Sequence, residues 1–195
     1  MPANTKRCRL RAARRALTTA QQRVAAENVA ERLAQQAFFQ SATRVATYWQ
    51  SDGEVDPKPL QKRFSDVKQW FLPRLAADNS TAMMFAEMCD GTPLVTNRFG
   101  IPEPAIASSG SEYAASMELI LLPLVGFDRC GNRLGMGGGY YDRMLADVPT
   151  VESGGPLLVG LAHACQECRQ MSPQNWDIKL NMIITDGELI CARPK

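Results

Sequence analysis

The sequence predicts an α/β fold, a three-layer α/β/α sandwich with a mostly parallel central sheet. Short apolar runs of strand length alternate along the chain with segments of helical periodicity, and this alternation favours parallel strands joined by helices. The run at residues 119–125 is apolar throughout, which is typical of a strand buried on both faces. No internal repeat or low-complexity linker interrupts the chain, so we expect residues 1–195 to form a single domain.

The order of the predicted elements follows from periodicity, caps and turn residues. The predicted helices lie at about residues 5–17, 19–38 and 56–65 and from residue 140 onward. The predicted strands lie at residues 44–49, 67–72, 82–88, 94–96, 119–125, 157–162, 182–185 and 188–191. Residues 97–117 are expected to form loops.

Two turns and one shared edge are also predicted. Pro73 is expected to stop the 67–72 strand, and the Asp90-Gly91 turn predicts that residues 82–88 and 94–96 pair as a hairpin. The segments after residues 49, 125 and 162 all follow predicted strands. Because the carboxyl ends of parallel strands share one edge of a sheet, these segments are expected to meet where ligands bind.

A glycine-rich segment follows the 119–125 strand. Its five glycines, at positions 131, 135, 137, 138 and 139, precede a predicted helix that begins at Tyr140. Glycine lets backbone N–H groups approach phosphate oxygens, and a helix N-terminus adds positive potential. Arg133 and Arg143 bracket the loop and could neutralise phosphate charge. Asp142 stands where a Mg²⁺ ligand would be useful.

The common nucleotide-binding motifs are not matched. A Walker A motif requires Gly-Lys, which occurs nowhere in the chain, and Tyr140 stands where a Rossmann loop needs its last glycine. From these residues alone, phosphate binding and a tightly packed glycine turn both remain open.

The ordered residues of this segment, GFDRCGNRLGMGGGYYDR at 126–143, closely resemble the motif of the 5-formyltetrahydrofolate cyclo-ligase family. Further segments resemble the same family, and the resemblance covers roughly residues 7–190. These segments are residues 48–56, 72–74, 99–104, 175–177 and 182–185.

The resemblance implies a reaction and its co-substrates. The family cyclises 5-formyltetrahydrofolate to 5,10-methenyltetrahydrofolate, with ATP as co-substrate and Mg²⁺. Phosphoryl transfer to the formyl oxygen makes that oxygen a leaving group, and N10 then attacks. Such chemistry depends mostly on positioning and electrostatic stabilisation, which suits a chain with one histidine and no recognisable catalytic triad.

The resemblance also implies roles for individual residues. Arg133 and Asp142 are the implied catalytic residues, and Asp142 and Asp177 are the implied Mg²⁺ ligands. The implied nucleotide-binding residues are Lys6, Arg7, Arg133, Leu134, Gly135, Met136, Gly137, Gly138, Gly139, Tyr140 and Tyr141. The implied folate-binding residues are Trp49, Glu54, Met136, Gly137, Gly138, Gly139 and Tyr140. Taken singly, each has a structural alternative, such as Asp142 favouring its own helix N-terminus.

Composition limits the partners. A net charge of +2 gives no whole-chain argument for nucleic acid or membrane binding, and no apolar run approaches the ~18 residues needed to span a bilayer. Seven basic residues precede the first acid, Glu27, which could indicate a transit peptide or a nucleic-acid arm. The family resemblance favours instead the basic first helix of a cytoplasmic, monomeric enzyme.

The cysteines and the single histidine suggest a possible metal site. His163, Cys165 and Cys168 are closely spaced, but a structural zinc site needs four ligands and no second pair exists. Incidental thiols in a reducing compartment are therefore the favoured interpretation.

A different class of function shares the predicted architecture. Sugar-phosphate isomerases and phosphosugar-sensing domains of transcription regulators use a similar sandwich, and fold alone does not choose between them. A sensor would need a DNA-binding module, and the basic helix is too short to supply one.

Overall fold

The computed structural model describes residues 3–76, 78, 80–105 and 113–192. Its helices are α1 (Ala3–Arg15), α2 (Thr19–Ala34), α3 (Ala37–Ser41), α4 (Lys58–Arg63) and α5 (Tyr140–Leu145). Its strands are β1 (Arg44–Ala46), β2 (Gln69–Leu75), β3 (Met83–Met88), β4 (Leu94–Thr96), β5 (Pro102–Pro104), β6 (Leu119–Pro123), β7 (Gly126–Phe127), β8 (Arg133–Leu134), β9 (Leu157–Ala162), β10 (Met182–Thr185) and β11 (Leu189–Cys191). Part of the predicted 97–117 loop, residues 106–112, lies outside the described residues.

A seven-stranded sheet forms the centre, in the order β11-β10-β9-β6-β1-β2-β3. The five inner strands run parallel, and β3 and β11 join antiparallel at the two edges. The register is set near the middle, where Val45 lies beside Leu119 and Ala46 beside both Ile120 and Phe71. The predicted α/β class with a mostly parallel sheet is confirmed.

Strand β6 is buried on both faces, as its sequence predicts. Leu119 and Leu121 pack with α2 and α3 on one side of the sheet. Ile120 and Leu122 pack on the other side with Leu145 of α5. Because side chains alternate along a strand, this single apolar run supplies both cores and fixes the three layers.

Two predicted details are wrong. Residues 82–88 do not pair with 94–96: β3 pairs with β2, and β4 pairs with β5. Phe85 and Ala86 become fully buried by joining the sheet, whereas all three residues of β4 are exposed, so hydrophobic burial outweighs the local turn signal. Strand β2 also continues through Pro73. Since β1 pairs only with residues 69–71, Pro73 has one neighbouring strand and its missing N–H is tolerated.

Several predicted boundaries also shift. The 19–38 helix divides near Gln35 into α2 and α3, the 44–49 strand ends at Ala46, and the 119–125 strand ends at Pro123. Thr18 caps α2 through a reciprocal pair of hydrogen bonds with Gln21, a capping box that marks where the helix begins.

The segments after residues 49, 125 and 162 meet, as predicted. His163 Nε2 lies 3.2 Å from the Gly53 carbonyl oxygen. Gln166 Nε2 donates to the carbonyl oxygens of Leu124 and Val125 at 2.5 and 3.1 Å. Among the residues that the structure describes, no helix combines the length and the hydrophobicity needed to cross a membrane.

Candidate active site

A cleft of about 950 Å³ opens at this edge of the sheet. Its walls come from α1, the segment after β1, residues 94–104 (the β4–β5 arm), the glycine loop and residues 171–177. All the predicted site residues line it: Lys6, Arg7, Trp49, Glu54, Arg133, Leu134, Gly135, Met136, Gly137, Gly138, Gly139, Tyr140, Tyr141, Asp142 and Asp177. Residues separated by more than 170 positions in the chain therefore share one cavity.

The base of the glycine loop is a tight hairpin between β7 and β8. The buried Asp128 carboxylate accepts hydrogen bonds from the backbone N–H groups of Cys130, Asn132 and Met171 at 2.9–3.2 Å. Gly131 adopts φ +80°, and a Cβ there would lie 2.4 Å from the Leu180 carbonyl oxygen. Glycine is thus required at position 131 by both backbone conformation and close approach.

The tip of the loop presents backbone amides to the cleft. Gly137 and Gly139 have φ values of +99° and +66°, and Gly139 is the residue that precedes α5. In the described part of the chain, the N–H groups of Gly137, Gly138 and Gly139 donate to no protein acceptor. Unpaired amides in a left-handed turn form an anion-binding concavity.

Arginine side chains surround these amides. Arg7 Nε donates to the Gly135 carbonyl oxygen at 2.7 Å, and Arg143 Nη2 donates to that of Gly138 at 2.5 Å. Arg133 is almost fully buried and donates from Nη2 to Asp142 Oδ1 at 2.5 Å. Lys6 instead donates to the Gln170 carbonyl oxygen at 3.3 Å, so Arg7 is the basic residue of α1 that contacts the loop.

The two predicted metal ligands approach each other through the backbone. Ile178 N–H donates to Asp142 Oδ1 at 3.3 Å, and Asp177 Oδ2 accepts from Gln174 N–H at 2.8 Å. Within the described ranges, the second oxygen of each carboxylate has no protein donor. No group of three or more His, Cys, Asp or Glu side chains among the described residues could hold a metal alone. The pair fits Mg²⁺, which takes one or two carboxylates together with substrate phosphates and water.

Glu54 also lines the cleft and is almost completely buried. Its Oε2 accepts from Ser51 N–H at 3.2 Å, and Arg14 Nη2 lies 3.5 Å from its Oε1. Burial raises the pKa of this carboxyl to about 7, and Arg14 partly offsets that effect. Trp49, which also lines the cleft, has Lys58 Nζ 4.3 Å from the centroid of its ring.

The β4–β5 arm reaches the glycine loop, which the sequence did not predict. Arg98 Nη2 donates to the Tyr140 hydroxyl at 3.0 Å, and the rings of Phe99 and Tyr140 meet edge to face with centroids 5.7 Å apart. Phe99, Met136 and Trp176 are exposed at the cleft. The sequence signal available for this contact was an aromatic residue, Phe99, next to a turn glycine, Gly100.

A second group that the sequence did not predict is the set of arginines around Asp52, two positions before Glu54. Asp52 accepts hydrogen bonds from Arg11 and Arg14 at 2.8 Å each, and from Arg15. The Asp52-Gly53 pair signals a turn, but the sequence does not show which of several arginines reaches it. His163, considered above for metal binding, instead contacts the Gly53 carbonyl oxygen, and all six cysteines are free thiols.

Fold and site together define an α/β protein with a cleft at the carboxyl ends of a parallel sheet, lined by a glycine loop and arginines. A family model, the 5-formyltetrahydrofolate cyclo-ligase family, matches residues 3–186. The chain belongs to this family and is one of its enzymes, as the sequence predicts.

Curated relatives and a solved structure agree with this assignment. The chain is 33% identical to the 5-formyltetrahydrofolate cyclo-ligase of Haemophilus influenzae over 175 residues, covering 89% of this chain and 92% of the relative. It is 33% identical to that of Escherichia coli K12 over 181 residues, covering 92% and 98%. The solution structure of Aquifex aeolicus 5,10-methenyltetrahydrofolate synthetase superposes with a TM-score of 0.85 at 28% identity, covering all of this chain and 95% of that one.

Proposed function

We propose that the protein catalyses the ATP- and Mg²⁺-dependent cyclisation of 5-formyltetrahydrofolate to 5,10-methenyltetrahydrofolate, releasing ADP and phosphate. One observation carries this proposal beyond the family assignment. A single cleft is lined by a glycine loop flanked by arginines and also by a buried carboxylate, Glu54, and a tryptophan, Trp49. Such a cleft suits a phosphorylated co-substrate and a flat ring system with N–H donors at the same time.

The chemical difficulty lies in the formyl group, whose oxygen is a poor leaving group. In the proposed reaction this oxygen attacks the γ-phosphorus of ATP, the bond to the β–γ bridging oxygen breaks, and ADP departs. The N10 amine then attacks the activated carbon, phosphate leaves with the formyl oxygen, and N10 loses its proton. The protein needs no covalent nucleophile, because positioning and electrostatic stabilisation supply the catalysis.

The glycine-loop wall is proposed to hold the nucleotide. The amides of Gly137, Gly138 and Gly139 face phosphate oxygens, and Arg7 and Arg133 neutralise charge that develops during transfer. Leu134 to Tyr141 complete this wall, with Lys6 at its edge. Asp142 and Asp177 would hold Mg²⁺, which would supply positive charge to the nucleotide phosphates.

The part of the cleft around Glu54 and Trp49 is proposed to hold the folate. Ionised Glu54 accepts hydrogen bonds from N–H groups of the pterin ring, since a carboxylate is an acceptor with two oxygens. Trp49 and the segment from Met136 to Tyr140 provide apolar contact around the ring and the formyl group. This arrangement places the formyl oxygen next to the loop that binds the nucleotide phosphates.

We further propose that residues 1–195 act as a single domain, as a cytoplasmic monomer, on small molecules rather than on nucleic acid or membranes. The small net charge of +2 favours small molecules over nucleic acid and membranes as partners. The hydrogen bond from Arg7 of α1 to the glycine loop favours a role for α1 within this domain.

An absorbance assay tests the function directly. Purified protein is mixed with 5-formyltetrahydrofolate and Mg-ATP, and the near-ultraviolet chromophore of the methenyl product is followed. We expect growth that requires both ATP and Mg²⁺, with omission of each as the control. No growth from folded protein that is stabilised thermally by Mg-ATP would reject the proposed acceptor. Stabilisation by sugar phosphates alone would instead favour the sensor class.

A further inference from the structure

Arg14 is a fully buried arginine that joins three segments of the chain. Its side chain is 0% exposed. Nε donates to the Asp52 carbonyl oxygen at 2.8 Å, and Nη1 donates to the Leu124 carbonyl oxygen at 2.9 Å. These bonds connect α1 to the segment after β1 and to Leu124, the residue that follows strand β6. A guanidinium is costly to bury unless its donors are used in this way.

Its main charge partner, Asp52, fixes the backbone that leads to Glu54. Asp52 has φ +53° and Gly53 has φ +76°, so two successive residues are left-handed, a conformation that a non-glycine residue rarely adopts. Burial alone would raise the pKa of Asp52, but hydrogen bonds from Arg11, Arg15 and Arg14 lower it to about 2. Asp52 is therefore ionised at neutral pH and holds this turn against α1.

The same guanidinium nitrogen faces two carboxylates. Arg14 Nη2 lies 2.8 Å from Asp52 Oδ2 and 3.5 Å from Glu54 Oε1. The short contact goes to Asp52, whose two carboxylate oxygens both accept hydrogen bonds from arginines. The longer one goes to Glu54, whose Oε1 thus keeps capacity for a further donor.

We propose that the buried Arg14–Asp52 ion pair is a positioning device, which aims Glu54 at the folate ring and balances the charge at that carboxylate. This inference rests on the proposed function, because it takes the folate as the ligand of Glu54. Without Asp52, Arg14 would be available to close fully onto Glu54 and compete with the ligand. Without Arg14, Glu54 would keep the acid Asp52 near it but lose the one cation among the described residues that this site shows within 3.5 Å of both carboxylates.

Charge balance gives the two partners opposite effects on Glu54. Arg14 lowers the pKa of Glu54, and Asp52 raises it. Further groups that act on this site electrostatically are Arg11 and Arg15 from α1, Tyr48 from the end of β1, Tyr141 from α5 and His163 from the segment after β9. Burial raises the pKa values of both tyrosines and lowers that of His163, so these three stay neutral near pH 7.

The experiment measures the affinity for 5-formyltetrahydrofolate by calorimetry between pH 5.5 and 8.5, in the wild-type protein and in variants that melt cooperatively. In the wild type, affinity should fall as pH drops through the pKa of Glu54, because only the carboxylate accepts two hydrogen bonds. Asp52→Asn should move the midpoint of that fall to lower pH, and Arg14→Met should move it to higher pH. Each unit of movement corresponds to about a tenfold change in affinity on the acidic side.

Two further variants isolate the cause. Arg15→Gln removes another partner of Asp52 without a contact to Glu54, so its midpoint should match that of the wild type. Glu54→Gln should abolish the pH dependence in every background. If Arg14→Met does not fold, Asp52→Asn still decides, since asparagine tolerates the left-handed backbone.

The outcomes separate the two proposals. Opposite shifts in Asp52→Asn and Arg14→Met support the positioning pair. Unchanged midpoints, or shifts in the same direction, would overturn it while wild-type ATP-dependent formation of the methenyl product keeps the proposed function. A wild type that forms no product and binds no 5-formyltetrahydrofolate would reject the proposed function and this inference with it.

Discussion

Arg133 Nη2 lies 2.5 Å from Asp142 Oδ1, so a cation and a carboxylate from opposite ends of the glycine loop pair inside the cleft. The Arg133 side chain is only 4% exposed, whereas that of Asp142 is 23% exposed. The pair holds both groups in place beside the loop amides before any ligand binds. Preorganised charges of this kind need no reorganisation during the reaction.

Replacement of Asp142 by asparagine should nearly abolish turnover. The amide keeps the size of the side chain but loses the charge that Mg²⁺ and Arg133 both require, so we expect kcat to fall about 100-fold or more with little change in melting temperature. Steady-state absorbance kinetics and thermal melting measure both. Asp147→Asn, an exposed acid just past α5, is the matched control. Wild-type-like turnover from folded Asp142→Asn protein would contradict the metal role.

Replacement of Arg7 by methionine should weaken nucleotide use selectively. Arg7 contacts the loop through the Gly135 carbonyl oxygen, and its guanidinium carbon would lie 3.5 Å from a Cβ at Gly137. We expect KM for ATP to rise about tenfold or more, with KM for folate changed by less than about twofold. Arg23→Met removes one exposed positive charge from α2 and should leave both values unchanged. An equal rise in both KM values for Arg7→Met would argue against phosphate contact.

Replacement of Glu54 by glutamine should weaken folate binding more than ATP binding. Glutamine can accept at one atom only, so at least one hydrogen bond to the pterin is lost. We expect the Kd for 5-formyltetrahydrofolate at pH 8 to rise about 10- to 100-fold while the Kd for Mg-ATP stays near its wild-type value. Isothermal calorimetry measures both constants. Equal folate affinity in the two proteins would remove Glu54 from the folate site.

The same substitution should stabilise the ligand-free protein at high pH. Burial raises the pKa of Glu54 from 4.5 to about 7, so the native state holds the proton more tightly than the unfolded chain. The free energy of unfolding of the wild type should therefore fall as pH rises through this window. Glu54→Gln lacks this loss and should be more stable by about 1–3 kcal/mol at pH 8, with a smaller gap at pH 4.5. Urea unfolding at the two pH values tests this, and parallel curves would show that the carboxyl is not strained by burial.

Replacement of Gly131 by alanine should destabilise the fold by about 3 kcal/mol. A Cβ there meets the Leu180 carbonyl oxygen at 2.4 Å and the Ala192 Cβ at 2.8 Å. Gly91 has a similar φ, +82°, with nothing within 4 Å of its Cβ position. Gly91→Ala therefore measures backbone strain alone, about 1 kcal/mol, and the difference between the two variants gives the cost of the clash. Similar losses in both variants would show that the 131 turn relaxes.

The sequence predicted the fold best where a hydrophobic pattern was compatible with one structure only. The Leu119–Leu122 run is apolar on both faces, and only a central strand between two helical layers can bury it. The hairpin prediction failed because the turn at Asp90-Gly91 is local, whereas Phe85 and Ala86 gain more by joining β2. Strand propensity and residue spacing do not show that two pairing partners compete for residues 82–88.

The site shows the same division. The glycine-loop residues are contiguous, so their motif places them together without knowledge of the fold. Arg14 and Asp52 are 38 positions apart, and α1 contains several arginines that are equivalent as sequence. Only packing decides which one turns inward, so the pair was not predictable from spacing.

The long-range tethers of α1 have a consequence for synthesis on the ribosome. Arg14 binds the carbonyl oxygen of Leu124, 110 positions later, and Arg7 binds that of Gly135, 128 positions later. At translation rates of about 5–20 residues per second, the nascent chain waits roughly 5–25 s before these acceptors emerge. During that interval Asp52 is already available to α1, but Arg7 and Arg14 lack these two carbonyl acceptors while the cationic helix lies near polyanionic ribosomal RNA. Helix α1 is thus made long before it can dock fully, and the cleft lacks its α1 side until residue 135 has emerged.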